Sequence, residues 1–208
     1  MSAHAFDGKL AGGDHRSIGR ANEVVQEVLA HPDRFAALME CLTHADPLLR
    51  LRAADAAEKV TRRHPDWLAP YGRLLLGPLA RSGEPEVQWH VAQMLPRLAL
   101  RPDERQRALR ILRRYLSSPS SIVKTCAMQA LADFARTNAG LLPRLTPLLE
   151  ALTATGTPAM RARGRKLLPE LDRVSQRPSR ISSSSRVRGQ SSRSRRDRPR
   201  SASSRPPV

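Results

Sequence analysis

The chain has 208 residues, a net charge of +17, and 40% hydrophobic but only 3% aromatic residues. Its core must therefore be built from Leu, Ala and Val, which suits closely packed helices and argues against a β-sandwich. No apolar run reaches the roughly 18 residues of a membrane span, and the N-terminus lacks a signal-peptide core. We therefore expect a cytoplasmic protein, with Cys41 and Cys126 as reduced thiols.

The N-terminal part of the chain divides into two segments. Residues 1–16 are Gly-rich and polar, and we expect them to be disordered. Ser17 can cap a helix that runs to about Ala30. Its apolar positions follow helical spacing at Ile18, Ala21, Val25, Val28 and Leu29. This pattern predicts a capping helix at the first end of the fold, whose folded domain we place at residues 17–172.

The middle of the chain repeats itself. The segment DPLLRLRAADAAEKV at 46–60 returns in degraded form at 84–98, 120–134 and 157–171. Its first apolar anchor recurs at intervals of 38, 36 and 37 residues, as Leu49, Val87, Val123 and Met160. Apolar residues follow each anchor at the fourth, seventh, eighth and eleventh positions, with Gly164 as the exception, and these lie on one face of an α-helix. One helix used four times at a fixed period indicates a repeat array.

A second helix precedes each anchor helix. These are predicted at 35–42, 68–80, 104–116 and 141–152, and their last leucines are again spaced by 37, 37 and 36 residues. Pro78, Pro143 and Pro147 lie inside them and are expected to kink or loosen the helix. The repeating unit is therefore a helix pair.

The repeating unit resembles the HEAT-repeat family. The match is best in Asp46-Pro47-Leu48-Leu49-Arg50 and Ala53-Ala54-Asp55-Ala56-Ala57, and covers about residues 32–172. The run SIVKTCAMQALADF at 121–134 is also similar to short bacterial HEAT-repeat proteins. The resemblance implies an all-α fold, a right-handed α-solenoid of about four helix pairs, with the second helices lining a concave face. It further implies a scaffold that binds other proteins.

The concave face implied by the resemblance supplies candidate partner-binding residues. Helical positions opposite the buried stripe carry Leu51, Asp55, Glu58, Trp89, Gln93, Thr125 and Gln129. Tryptophan anchors interfaces more than most residues, so Trp89 is the expected centre of a groove for a peptide or helix. The alternative interpretation is that Trp89 packs in a seam between repeats.

Basic residues supply a second candidate surface. Residues 173–208 contain 11 Arg, 12 Ser and one acid, and too few apolar residues to fold, so we expect a disordered tail. Mobile guanidinium groups attract nucleic acids and other polyanions, and the candidates here are Arg186, Arg188, Arg193, Arg195, Arg196, Arg198 and Arg200. The final repeat is expected to end in a basic cap, and the helix at 104–116 carries Arg107, Arg110 and Arg114 on one stripe.

The sequence contains no motif for a metal, a phosphate loop or a catalytic nucleophile, so we predict no cofactor and no metal site. Three functions remain open. The first is a non-enzymatic, monomeric scaffold that binds a protein or peptide on its concave face. The second is association with nucleic acid or ribonucleoprotein through the tail. The third, prompted by Asp55 and Trp89, is an enzyme that resembles the DNA glycosylases built on HEAT-like arrays.

Overall fold

The computed structural model describes residues 3–12 and 18–176, and this part of the chain is entirely helical, with no strand. It contains ten α-helices and six short 3-10 helices. In chain order they are α1 (Asp7–Leu10), α2 (Ala21–Ala30), α3 (Phe35–Cys41), α4 (Pro47–Arg63), α5 (Gly72–Leu75), α6 (Pro85–Met94), α7 (Pro102–Tyr115), α8 (Ser121–Thr137), α9 (Leu142–Thr155) and α10 (Pro158–Ser175).

Five of these helices pack side by side in chain order, and we call them the row: α2 on α4, α4 on α6, α6 on α8, and α8 on α10. The repeated stripe predicted from the sequence is the face that they bury. Its four anchors, Leu49, Val87, Val123 and Met160, are at most 3% exposed. Alanine is frequent elsewhere on the stripe, and its small side chain lets neighbouring helices approach closely.

Side-chain caps explain where most row helices begin. Asp46 accepts a hydrogen bond from the Leu48 amide at 2.9 Å, and Thr157 accepts one from the Met160 amide at 3.3 Å. Ser120 caps α8 in the same way. These bonds satisfy amide groups that have no partner inside the helix. Proline at the first position of α4, α6 and α10 adds a backbone already set for a helical turn.

The preceding helices form as predicted in three of the four units. Helices α3, α7 and α9 pack against α4, α8 and α10 respectively. The predicted helix at 68–80 is wrong as a single element. Its place is taken by a 3-10 turn at Pro65–Tyr71, the single-turn helix α5, and a 3-10 turn at Leu79–Arg81. Pro70 and Pro78 lack the amide hydrogens that a continuous helix needs.

The N-terminal segment differs from the expectation of disorder. Residues Ala3–Phe6 form a 3-10 turn that leads into α1, and Phe6 and Leu10 are buried. The buried Arg52 of α4 donates hydrogen bonds to the carbonyls of Leu10, at 2.8 Å, and Gly12. Two apolar side chains one helical turn apart, together with a buried guanidinium, therefore hold residues 3–12 against α3 and α4.

The two ends of the predicted domain can also be compared with the structure. Helix α2 begins at Ala21, and Ile18 is 46% exposed, so it does not belong to the apolar stripe predicted for this helix. Ser17 lies outside the described residues. At the other end α10 continues to Ser175, three residues past the predicted boundary. Its side chains Arg161, Arg163, Arg165 and Lys166 are exposed, as expected of a basic cap.

Candidate functional site

Successive row helices surround a polar pocket of about 520 Å³, which we call the row pocket. Four of the residues predicted to face a partner line it: Glu58 of α4, Gln93 of α6, and Thr125 and Gln129 of α8. Further lining comes from Arg62, Arg97, Cys126, Ala130, Asp133 and Arg163. Residues separated by up to 105 positions in the chain thus meet in one place because the row helices stack in order.

Glu58 is the most deeply buried charged group of the pocket, with only 2% of its side chain exposed. Its carboxylate accepts a hydrogen bond from Arg62 at 2.6 Å and pairs with Arg97. Burial by itself raises the pKa of Glu58, but the hydrogen bonds from Arg97 and Arg62 outweigh it and hold the pKa below its usual value. The predicted partner-binding role of Glu58 therefore conflicts with its position, because its carboxylate is already occupied inside the fold.

Amide side chains line the middle of the pocket. Gln129 donates to Asp133 at 2.9 Å and accepts from Arg163 of α10 at 3.1 Å. Gln93 donates to the Cys126 sulfur at 3.5 Å. Thr125 donates to the Ser121 carbonyl, so its hydroxyl hydrogen is satisfied within α8. The pocket therefore carries groups that both donate and accept hydrogen bonds.

The remaining predicted residues are not brought into the pocket. Leu51, Asp55 and Trp89 are half-buried on α4 and α6 and do not line it. Trp89 packs against the hydrophobic core, and the centroids of its ring and the His90 ring are 5.5 Å apart. Asp55 is hydrogen-bonded to Lys59 at 2.7 Å. Trp89 therefore lies against the core and outside the row pocket, and its role as the centre of a binding groove stays a prediction.

Arginines are the pocket residues that sequence reasoning missed. Arg62, Arg97 and Arg163 come from α4, the turn after α6, and α10. Helical position gave a usable signal for Arg62, which lies thirteen residues after Leu49 and opposite the buried stripe of α4. Three guanidinium groups against the carboxylates of Glu58 and Asp133 leave the lining with a formal charge of 3 − 2 = +1. The lining therefore carries a small net positive charge.

The chemistry available for catalysis is limited in the described residues. The Cys126 thiol has a raised pKa because of its burial, so it stays protonated at neutral pH and is a poor nucleophile. Burial lowers the pKa of His90 to about 4, and its Nδ1 atom has no hydrogen-bond partner. Over residues 3–12 and 18–176, no three His, Cys, Asp or Glu side chains lie close enough together to hold a metal ion.

Two further predictions concern other parts of the chain. The tail arginines 186–200 lie outside the described residues, so polyanion binding by the tail stays a prediction. Every helix within the described ranges is too short or too polar to cross a bilayer.

Comparison with known proteins bears on the fold. No protein-family model matches the chain, and no curated protein matches it either. Among solved structures it is similar to an engineered protein, a target of the Northeast Structural Genomics Consortium, with a TM-score of 0.55 and 18% sequence identity. The similarity covers 83% of this chain and 80% of that one. At this identity the likeness concerns the fold alone.

Proposed function

We propose that the chain is a HEAT-like α-solenoid that acts as a non-enzymatic binding module for an acidic peptide segment of a partner protein. The row pocket is the proposed binding site. The solenoid assignment is supported by the period of about 37 residues and by the packing of row helices in chain order. It is also supported by Arg50, which pairs with Glu84 one repeat later.

The single observation that carries the binding proposal is the convergence of amide and guanidinium groups in one pocket. Gln93 and Gln129 can donate to and accept from a peptide backbone, whose hydrogen-bonding groups repeat along an extended chain. Arg62 and Arg163 are exposed at the pocket and can pair with a carboxylate of the ligand. A volume near 520 Å³ suits a few residues of peptide.

The experiment selects binding peptides from a random display library against the full chain. We expect enrichment of Asp and Glu among the selected peptides. The affinity of one selected peptide is then measured for the wild type and for Gln93→Ala, Gln129→Ala and Arg163→Ala. Each variant removes a polar contact, so each is expected to weaken binding about tenfold.

Matched control variants separate the pocket from the general charge of the chain. Gln26→Ala and Arg63→Ala change exposed residues of the same types outside the pocket, and should leave the affinity unchanged. A peptide held only by the Arg-rich tail would bind all the pocket variants like the wild type. That result, or a selection without acidic residues, would overturn the proposal.

A further inference from the structure

Helix α7 has a higher density of basic residues than α4 or α10, which hold five each in 17 and 18 residues. Five of its 14 residues are arginines, at 105, 107, 110, 113 and 114. Its two acids, Asp103 and Glu104, lie in the first turn. Both pair with Arg101, at 3.5 and 3.2 Å, so neither neutralises the arginines further along the helix.

The five arginines fall into two groups. Arg105 donates to the Leu100 carbonyl at 3.3 Å, and Arg114 donates to the Ala80 carbonyl, so both side chains stabilise the fold. Arg107 and Arg110 are exposed and Arg113 is half-exposed. No ion pair or hydrogen bond joins the side chains of these three to any other residue in the described part of the chain. We call Arg107, Arg110 and Arg113 the α7 arginine face.

The close spacing of like charges on the α7 arginine face destabilises the helix, and no local ion pair among the described residues offsets this. Residues three apart on a helix are neighbours, and like charges at such spacing destabilise a helix by roughly 0.2–0.5 kcal/mol a pair. The arginine face contains two such pairs, 107 with 110 and 110 with 113. The corresponding helix of the next unit, α9, has one arginine and one glutamate. The charge therefore belongs to α7 and not to the repeat.

The chemistry of the face indicates the class of partner. The described chain exposes only two large hydrophobic side chains, Ile18 and Ile122, and neither is on α7, so the face lacks the apolar anchors of a membrane-inserting helix or an apolar peptide site. The aromatic residue of α7, Tyr115, is 2% exposed and donates to the Ala80 carbonyl at 2.9 Å, so it cannot stack on a base. Planar guanidinium groups in a row suit phosphates.

We propose that the α7 arginine face binds the phosphate backbone of a nucleic acid without reading its sequence. Each phosphate contact releases counterions, so affinity must fall steeply as salt rises. The proposal does not depend on the row pocket, which is lined by α4, α8 and α10 and by residues around the end of α6. It also differs from binding by the tail, because it assigns contacts to a folded helix.

The test uses the full chain and measures its affinity for a short DNA duplex and for single-stranded RNA across a potassium chloride series. The triple variant Arg107→Gln, Arg110→Gln, Arg113→Gln removes the face and keeps good helix formers. The control triple, Arg63→Gln, Arg161→Gln, Arg165→Gln, removes the same charge from exposed positions on α4 and α10. The helical signal in circular dichroism is measured to check that each variant is folded.

We expect the α7 variant to reduce the slope of log affinity against log salt by about 2 to 3, and the control to change it by less than about 1. If the α7 variant loses affinity for the DNA duplex alone or for the single-stranded RNA alone, the result identifies the preferred nucleic acid and supports the proposal. Equal slopes for the wild type and the α7 variant would overturn it, and so would equal reductions in the two triples. A larger loss of binding to polyglutamate or to anionic vesicles would assign the face to another class of partner and also overturn it.

Discussion

Arg97, in the turn that ends α6, donates to the Glu58 carbonyl at 2.8 Å and to the Thr61 hydroxyl at 3.0 Å, and also pairs with the Glu58 carboxylate. One guanidinium thus joins two consecutive row helices while it forms part of the wall of the row pocket. Arg97 therefore both holds α4 against α6 and contributes to the charge of the proposed binding site.

Arg97→Ala should destabilise the protein strongly. It leaves the Glu58 carboxylate, which is 2% exposed, with Arg62 as its one partner in place of two. Removing one member of a buried ion pair costs about 3 kcal/mol of folding free energy. Arg62→Ala removes the other partner, whose side chain is 64% exposed, and should cost less than about 1 kcal/mol. Urea unfolding of the two variants checks this order. Equal losses would show that Arg97 is not the main support of Glu58.

Acid should destabilise the fold through His90. Burial lowers its pKa from 6.5 to about 4, so the unfolded chain binds a proton more readily than the folded chain between these values. Stability is therefore full above pH 6.5 and falls as pH drops toward 4, by roughly 3 kcal/mol from this group. His90→Leu should flatten the pH dependence of the free energy of unfolding over this window. The exposed His31→Gln serves as the control and should leave the profile as steep as in the wild type.

Gly164→Ala should destabilise the protein although alanine favours helices by about 1 kcal/mol over glycine. An added Cβ would lie 2.7 Å from Thr153 Cβ and 2.8 Å from Met128 Cε, because α8, α9 and α10 converge there. Such overpacking costs about 1–3 kcal/mol. Gly72→Ala, where a Cβ meets nothing within 4 Å, should be neutral or stabilising. Thermal unfolding checks this: the melting temperature should fall for Gly164→Ala and stay level or rise for Gly72→Ala. A melting temperature that rises in both variants would contradict the prediction.

Arg52→Leu should release the N-terminal segment. It removes the hydrogen bonds to the Leu10 and Gly12 carbonyls, which tie the end of α1 to α4. The Ala11 amide, bonded to the Asp7 carbonyl at 2.8 Å, is a convenient reporter. We expect its hydrogen exchange to speed up at least tenfold. The exposed Arg63→Gln should leave it unchanged, and continued protection in Arg52→Leu would mean that Phe6 and Leu10 hold the segment without help.

The sequence predicted the parts of the fold that repeat. The stripe that begins at Leu49, Val87, Val123 and Met160 is buried because helical spacing and apolar character recur together. It did not predict that Phe6 and Leu10 would be buried, since a short segment shows no period and its burial depends on Arg52, a residue about 40 positions away. Pro78 indicated a break in the helix predicted at 68–80, but the sequence did not indicate which turns would replace it.

For the candidate site, the sequence predicted only which face of each helix would carry its residues. Helical position placed Gln93, Thr125 and Gln129 together because they occupy equivalent positions on stacked helices. Helical position left open whether Trp89 faces a groove or packs on the core, and the structure places its half-buried ring against the core. Arg97 was missed because it lies after the end of α6 at Met94, in the 3-10 turn Leu95–Arg97, so α-helical spacing does not place its side chain.

The most direct test of the proposed binding function is to follow the side-chain amide resonances of glutamine by NMR as a selected acidic peptide is added to the full chain. Gln93 and Gln129 lie in the row pocket, and Gln26 lies outside it. The proposal predicts large, saturable shifts for Gln93 and Gln129 and none for Gln26. Saturable binding that leaves both pocket glutamines unshifted would contradict it.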